Sequence, residues 1–229
     1  MSGQQIYNVA IRPMFYKSVR WAARKGEDKL VVELYRLYRG LPENANAGGT
    51  ALTWAAAHND AETVKILLDR GLDVNAADDQ GRTALHRAIS WGPHNVGLLL
   101  EKGAKVNVKT KSGETPLMLA AQAAFPETVT ALLERKAEVN ERDAEDRTAL
   151  MYAAKAGRLA NARALLGHGV NAHLKDKAGR TALAQVQAPN LLDRPGLLTK
   201  GTAQKLAEQA VRDEKELRAL LQSAGDKDK

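Results

Sequence analysis

The sequence predicts an all-α chain in which short two-helix units stack side by side. Threonines recur at Thr50, Thr83, Thr115, Thr148 and Thr181, with spacings of 33, 32, 33 and 33 residues. Paired leucines recur in phase behind the first four of these threonines, and a Val-Asn dipeptide follows the first three pairs. A two-helix unit of this size can bury its apolar faces only against neighbouring units, so the repeats are expected to form a solenoid.

Each part of the repeated unit has a structural role. The threonine stands where the first helix begins, so its hydroxyl is placed to accept a hydrogen bond from an exposed backbone N–H. Pro116 follows Thr115 at the first helical position, where proline is tolerated. Small pairs such as Ala55-Ala56 let the first helix approach its neighbours, and the paired leucines give the second helix an apolar stripe.

These residues resemble the ankyrin-repeat family, whose unit is a β-turn finger followed by two antiparallel helices. The resemblance implies an ankyrin-repeat solenoid of stacked helix-turn-helix units with β-turn fingers, and it covers repeats at 50–82, 83–114, 115–147 and 148–180. It implies that His86 bonds to the hydroxyl of Thr83. Lys136 replaces a helix-terminating glycine and Asp146 replaces a finger glycine, so both are expected to adopt the left-handed backbone conformation.

Both ends of the chain depart from the repeat. Residues 1–16 are predicted to be an N-terminal extension and 17–49 a degenerate capping repeat, because Trp21-Ala22-Ala23 precedes Trp54-Ala55-Ala56 by 33 residues. Residues 181–223 are predicted to be a C-terminal capping repeat with an inserted loop at 187–202 and a long second helix. A rival alignment uses Leu197-Leu198 for that helix. The tail 224–229 is expected to be disordered.

The sequence offers no catalytic or metal-binding constellation. The chain has no cysteine, so disulfides, thiolate metal sites and cysteine nucleophiles are excluded. His168, His173 and Asp176 come nearest to a metal site. They lie in the loop after the fourth repeat, and such a loop is a poor template for the three or four ligands that zinc needs. No phosphate loop or nucleophile elbow is present. We therefore expect a protein that is not an enzyme and holds no cofactor or metal.

The resemblance implies that partners dock on the finger tips and on the exposed side of the first helices. The positions that match are Asp79, Gln80, Arg82, Trp91, Lys111, Glu114, Gln122, Glu145, Arg147, Tyr152, Lys155, Lys177 and Arg180. Trp91 has two interpretations, a contact anchor or local packing against Pro93. Tyr152 is equally open, whereas Trp21 and Trp54 are expected to be packing residues.

The net charge of +7 is unevenly distributed. Residues 1–49 carry eight basic and four acidic side chains, residues 149–188 carry six and one, and residues 111–148 carry five and eight. Basic residues beside the later fingers indicate either a solvated face or a surface complementary to an acidic patch on a partner. An excess interrupted by an acidic stretch favours a protein partner over nucleic acid.

The predicted function is that of a non-catalytic adaptor or scaffold that binds a folded protein through its finger turns and concave helix face. The alternative is a bacterial inhibitor or immunity protein that neutralises a toxin or hydrolase, with the loop 187–202 entering the partner's cleft. The chain shows neither a signal peptide nor a bilayer-spanning segment. We therefore expect a soluble, cytoplasmic protein that is monomeric when unbound, or a periplasmic one if a leader has been removed.

Overall fold

The structure, a computed structural model, describes residues 12–38, 50–91, 93–186 and 200–227. The chain divides into two compact units, Met1–Lys111 and Ser112–Lys229. In both units the described residues form helices joined by turns, and all of these helices except the last are short. The β-pairing found among the described residues is a single antiparallel bridge between Ala77 and Thr83. The prediction of an all-α fold of repeated two-helix units is confirmed.

In the first unit, two repeats follow a pair of N-terminal helices. The helices are α1 (Arg12–Lys25), α2 (Asp28–Tyr38), α3 (Ala51–Ala57), α4 (Ala61–Asp69), α5 (Ala84–Trp91) and α6 (Val96–Glu101), with a 3₁₀ turn at Pro93–Asn95. The first helices of the two repeats, α3 and α5, pack against each other. They approach closely because they carry small, completely buried residues, among them Ala55, Ala56, Ala84 and Ala88.

The N-terminal helix pair packs in the reverse of the predicted order. α1 lies along α4, the second helix of the following repeat, and α2 lies along α3, its first helix. Arg20 on α1 forms an ion pair of 2.7 Å with Glu62 at the start of α4. Arg70, just after α4, donates to the carbonyl of Ala23 at 2.9 Å and to Asp28 at 2.7 Å. The alignment of 17–49 as a first helix followed by a second is therefore wrong.

The reversed order also accounts for the position of Trp21. Its side chain is 54% exposed, whereas the neighbouring Ala22 and Ala23 are completely buried. The expectation that Trp21 packs in the core rested on its alignment with Trp54, and it is wrong. Trp54 is half-buried, and its ring stacks on that of His58 at 5.8 Å between centroids, as expected of a packing residue.

A buried polar cluster joins α2 to the first repeat. The phenol of Tyr35 donates to Oδ2 of Asp60 at 2.9 Å, and its ring stacks on His58 at 4.5 Å between centroids. Asp60 also accepts from the hydroxyl and the backbone N–H of Thr63. Burial, followed by the charge of Asp60, raises the pKa of Tyr35, so the phenol remains a hydrogen-bond donor.

In the second unit, two repeats precede a C-terminal cap. The helices are α7 (Pro116–Gln122), α8 (Pro126–Glu134), α9 (Ala149–Lys155), α10 (Leu159–Leu166) and α11 (Lys200–Lys227), with a 3₁₀ turn at Leu183–Gln185. Here α7 packs on α9 and α8 packs on α10, so first helices stack on first helices and second on second. The buried side-chain amide of Asn161 donates to the carbonyls of Ala120, Ala121 and Ala123. It thereby caps the C-terminus of α7, where backbone carbonyls have no partner within the helix.

The C-terminal cap consists of the 3₁₀ turn and the long helix α11, which packs along α10. Leu217 and Leu221 provide its buried side. Arg218 donates to the carbonyl of Val186 at 2.9 Å, which ties α11 back to the turn. The cap thus has a full second helix, but its first helix is reduced to a single turn.

Three predicted boundaries differ from the structure. α1 begins at Arg12, inside the predicted extension 1–16, and α11 begins at Lys200, inside the predicted loop 187–202. α11 also continues to Lys227, so most of the tail 224–229 is helical rather than disordered. The parts of these predictions that fall on 1–11, 39–49, 187–199 and 228–229, including the alignment through Leu197-Leu198, lie outside the described residues.

The repeated threonines do not all cap their helices in the predicted way. The hydroxyls of Thr50 and Thr115 accept from the backbone N–H three residues later, as expected. Thr148 forms no such bond, so the prediction is wrong there. The hydroxyl of Thr83 lies 2.9 Å from Nδ1 of His86, the contact that the resemblance implies.

The backbone conformations predicted at three positions are confirmed. Pro116 occupies the first turn of α7. Lys136 has a φ of 62° and Asp146 a φ of 58°, both in the left-handed region where the repeat ordinarily has glycine. Asparagine and aspartate tolerate this region better than lysine does, so Lys136 is the more strained of the two.

Candidate functional site

Three turns that precede the first helices are each built around a buried aspartate. We call these segments, at 78–82, 143–147 and 176–180, the finger turns. Asp78, Asp143 and Asp176 are 7%, 5% and 6% exposed. Each carboxylate accepts from the backbone N–H groups two and four residues later, from Nε of the arginine four residues later, and from a side chain nine residues later. That last donor is Arg87, Tyr152 or Gln185, respectively.

The bonding around Asp143 keeps its carboxylate ionised. Oδ1 accepts from the backbone N–H groups of Glu145 and Arg147, both at 2.8 Å, while Oδ2 accepts from Nε of Arg147 at 2.7 Å and from the phenol of Tyr152 at 2.9 Å. Burial opposes ionisation, but these four bonds outweigh it and hold the pKa of Asp143 below its ordinary value. The four acceptor positions of the carboxylate are all in use.

A fourth finger lies at 110–114, where Thr110 stands in place of the aspartate, and neighbouring fingers are joined by main-chain hydrogen bonds. The carbonyl of one finger accepts from a backbone N–H of the next in the pairs Gln80–Lys111, Ser112–Ala144 and Glu145–Lys177, at 2.8, 2.9 and 3.1 Å. The first pair lies in the first unit and the other two lie in the second. Each bond fixes the distance between two adjacent fingers without using a side chain.

A cavity of about 400 Å³ opens on the first-helix side of the second unit. It is lined by Glu114, Gln122, Arg147, Met151, Tyr152, Lys155, Ala156 and Gln185. These residues come from the fingers at 110–114 and 143–147, from both first helices and from the turn of the C-terminal cap. Its size lies within the range usual for sites that enclose a small molecule or a side chain.

Tyr152 forms one wall of this cavity and is held by its neighbours. Its phenol lies 2.9 Å from Oδ2 of Asp143 and 3.2 Å from Oε1 of Glu114. The guanidinium of Arg147 lies over its ring at 4.9 Å from the centroid, within the range of a cation–π contact. Burial, followed by the bond to Asp143, raises the pKa of Tyr152, so the phenol is neutral and donates.

Comparison with known proteins assigns the family. A family model described as "Ankyrin repeats (3 copies)" matches residues 19–110 and 96–176, which together are more than half of the chain. The chain belongs to the ankyrin-repeat family.

Several ankyrin-repeat proteins are similar to parts of the chain. NF-kappa-B inhibitor delta of Mus musculus is 34% identical over 110 residues, covering 47% of this chain and 32% of that protein. Protein phosphatase 1 regulatory subunit 12A of Rattus norvegicus is 33% identical over 105 residues, covering 43% and 10%. Ankyrin repeat-containing protein P1E11.10 of Schizosaccharomyces pombe is 41% identical over 69 residues, covering 29% and 33%. The chain thus spans about a third or less of each of these relatives.

Ankyrin repeats generally mediate contacts between proteins and are typically non-catalytic. Within the described ranges, no three His, Asp or Glu side chains are grouped in a way that would hold a metal ion. None of the helices described here is both long enough and apolar enough to cross a membrane.

The ankyrin-repeat structure brings together five of the residues predicted to contact a partner. Glu114, Gln122, Arg147, Tyr152 and Lys155 all line the cavity of the second unit. Lys177 and Glu145 lie 3.9 Å apart on adjacent fingers of the same unit. Asp79, Gln80, Arg82, Trp91 and Lys111 belong to the first unit. Their role as contact residues remains a prediction.

The predicted contact residues differ in how much of the side chain is available to a partner. Arg82, Arg147 and Arg180 are each paired with the buried aspartate of their own finger, at 2.9, 2.7 and 2.9 Å, so part of each guanidinium serves the fold. Trp91, in contrast, is 56% exposed at the end of α5. Whether Trp91 is a contact anchor or a packing residue remains a prediction.

The finger aspartates are the important residues that the sequence interpretation missed. Each stands four residues before an arginine, so the pattern Asp-x-x-x-Arg occurs at Asp78, Asp143 and Asp176. These three positions are in phase with the repeat. An alignment of the repeats shows this pattern, whereas a prediction of exposed contact positions passes over the aspartates because they are buried.

Proposed function

We propose that the chain is a non-catalytic interaction module, an adaptor or scaffold that binds a folded protein through its finger turns and the concave face of its first helices. The observation that supports this most directly is the cavity of the second unit. Five side chains chosen from the sequence as contact positions line it together, although they come from residues as far apart as Glu114 and Lys155.

The rigidity of this surface also favours a role in binding. The finger of Arg147 is fixed by the four bonds of Asp143, and the ring of Tyr152 is fixed from two sides. A surface that is ordered before the partner arrives loses little conformational entropy on association. Side chains held in this way suit the recognition of a single complementary shape.

The proposal is tested by capture of the partner with two charge-reversed variants. Lys155→Glu changes an exposed side chain that lines the cavity, whereas Lys215→Glu changes an exposed lysine of α11 outside it. Immobilised wild-type chain, Lys155→Glu and Lys215→Glu are exposed to extract of the native organism, and the bound proteins are identified by mass spectrometry.

We expect one protein that is retained by the wild type and by Lys215→Glu but lost with Lys155→Glu. Retention of the same proteins by all three chains would contradict a binding role for this face. Turnover of a substrate by the purified chain would contradict the non-catalytic assignment.

A second function, inhibition of an enzyme or toxin, is favoured by the names of two relatives, an inhibitor and a regulatory subunit. The segment predicted to enter the cleft of such a partner is the insertion between Val186 and Lys200. Replacing 187–199 by a short Gly-Ser linker should abolish inhibition of the captured partner while binding through the fingers persists. Inhibition that survives this replacement would leave the scaffold role as the better account.

A further inference from the structure

We infer that the cavity of the second unit is a subsite for a carboxylate, the side chain of an aspartate or glutamate on the bound protein. This rests on the proposed function, because it names the chemistry of the partner residue that enters the cavity. The inference follows from the hydrogen-bonding capacity that the lining residues have already used and from the capacity that remains.

The carboxylate acceptors at the cavity are occupied, whereas the amide oxygens of Gln122 and Gln185 are neutral acceptors. Asp143, beneath the wall, receives four bonds and is 5% exposed. Oε1 of Glu114 lies 3.2 Å from the phenol of Tyr152, and its Oε2 accepts from the hydroxyl of Ser112 at 2.8 Å. A cationic ligand, such as a lysine or arginine side chain, could therefore reach a carboxylate here only by displacing bonds that already exist.

The donors at the cavity are, by contrast, in surplus. Lys155 contributes an ammonium group, Gln122 an amide and Arg147 the outer nitrogens of its guanidinium, whose Nε is the atom that binds Asp143. Within the described part of the chain, neither the ammonium of Lys155 nor the side-chain amide of Gln122 bonds to another residue. A carboxylate offers several acceptor positions and would meet these donors in charge-assisted bonds.

Net charge alone does not distinguish an anionic ligand from a cationic one at this cavity. The two cations Lys155 and Arg147 and the two carboxylates Glu114 and Asp143 cancel. Asp143, however, is buried and compensated by Arg147, and of the remaining two charges Lys155 is exposed whereas Glu114 is half-buried, so an incoming ligand meets the ammonium more readily than the carboxylate. The ammonium attracts an anion, and the fixed guanidinium presents its remaining N–H groups in a planar array suited to a carboxylate.

The remaining lining suits the stem of an acidic side chain. Met151, Ala156 and the ring of Tyr152 provide apolar surface beside the donors. An aspartate or glutamate has a short apolar stem and a charged end, which matches this division. Phosphate has no apolar part and would leave the exposed side chain of Ala156 without an apolar contact.

The test is a nuclear magnetic resonance titration of the full-length ¹⁵N-labelled chain with three small probes. The probes are the N-acetyl, N-methylamide derivatives of glutamate, glutamine and lysine, which differ only in the side chain. We expect saturable shifts of the Tyr152 and Lys155 amide signals with the glutamate probe, and about tenfold weaker binding of the glutamine probe, which lacks the charge. Lys155→Gln should weaken the glutamate probe by a similar factor, while Lys215→Gln should leave its binding unchanged.

The inference is overturned if the glutamate probe causes no saturable shift, if the glutamine probe binds equally well, or if the lysine probe binds more tightly. The proposed function can be judged separately. If capture of the partner still depends on Lys155 when the probes show no preference for a carboxylate, the binding role stands and only the chemistry assigned to the cavity is wrong.

Discussion

The carboxylate of Asp143 is buried and yet ionised, because two backbone N–H groups, a guanidinium and a phenol converge on it. Asp78 and Asp176 repeat this arrangement with Arg87 and Gln185 in place of the phenol. A buried charge without such partners would be strongly destabilising, so each aspartate depends on its neighbours as much as they depend on it. At the scale of the residue, these carboxylates determine the shape of the fingers.

Replacing Asp143 by asparagine should destabilise the chain. The amide keeps the shape of the side chain but loses the charge that binds Arg147, and its NH₂ group turns a donor toward another donor. We expect a loss of about 2 kcal/mol in the free energy of unfolding, measured by urea denaturation. Asp146→Asn in the same finger is the control. It removes only an exposed ion pair with Arg142 and keeps a residue that tolerates positive φ, so its effect should stay within about 0.5 kcal/mol.

The finger aspartates should also make stability depend on pH in the acid range. The pKa values of Asp78, Asp143 and Asp176 all lie below the ordinary value of about 3.9. In this range the unfolded chain binds more protons than the folded one. The stabilisation is therefore complete above about pH 5, begins to fall near the unfolded pKa of about 3.9, and is lost as the pH falls through the lower folded pKa values.

Urea denaturation at a series of pH values between neutral and about 3 would measure this loss. Asp143→Asn removes one of the three groups, so its free energy of unfolding should fall less steeply with acid than that of the wild type. Parallel curves for the two chains would contradict the assignment.

At the scale of the element, the closeness of adjacent fingers explains one glycine. Gly113 has a φ of 80°, and a Cβ atom there would lie 2.8 Å from the backbone nitrogen of Ala144. Gly179, in the last finger, has a φ of 75°, but a Cβ atom there would meet nothing within 4 Å. The two glycines have the same backbone conformation. They differ because the next finger packs against Gly113, whereas no finger packs against Gly179 among the described residues.

Gly113→Ala should therefore lower the free energy of unfolding by more than Gly179→Ala does. The left-handed conformation alone accounts for about 1 kcal/mol at each position. The collision with the next finger should add about 2 kcal/mol at Gly113 only. Urea denaturation of the two variants measures the difference, and equal losses would show that the fingers are not as close as the structure has them.

The reversed N-terminal helix pair can be tested by exchanging charges. Asp28 lies in α2 and Arg70 follows α4, and their ion pair of 2.7 Å exists only if the pair packs in the observed order. Asp28→Arg and Arg70→Asp should each destabilise the chain by about 1 kcal/mol, and the double variant should recover part of that loss. The pair Lys65 and Asp69 is the reference. Both residues lie within α4, so the coupling energy of this ion pair does not depend on how α1 and α2 are packed. Strictly additive losses for Asp28 and Arg70 would contradict a stabilising contact between these two side chains.

The same elements show how far the sequence could be interpreted. The threonine spacing identified the repeats because each threonine reports local structure, namely the start of a helix. The helix order at the N-terminus was not accessible in this way, because α1 and α2 have apolar stripes that fit either neighbour. The observed order is accompanied by contacts between residues distant in sequence, such as Arg20 with Glu62, and a local sequence pattern does not reveal them. The candidate cavity was predicted residue by residue, but its finger aspartate was not, because a buried acid resembles an exposed one in the sequence.

At the scale of the whole molecule, the net charge of +7 should affect how fast a partner with an acidic surface arrives. Lys155→Glu combined with Lys177→Glu should lower the association rate constant and flatten its dependence on salt, measured by stopped-flow fluorescence with the captured partner. Arg147 is unsuitable for this test because it also holds a finger. A double variant with an unchanged association rate would contradict steering by these lysines.

The bonds that space the fingers have a consequence for how such a protein changes over generations. They join carbonyl and N–H groups of the main chain, as between Ser112 and Ala144 or Glu145 and Lys177. Every amino acid except proline supplies the N–H, so side chains at the fingertips are free to mutate while the spacing persists. Selection can therefore redirect this scaffold to a new target by altering a few exposed residues, with the architecture inherited intact.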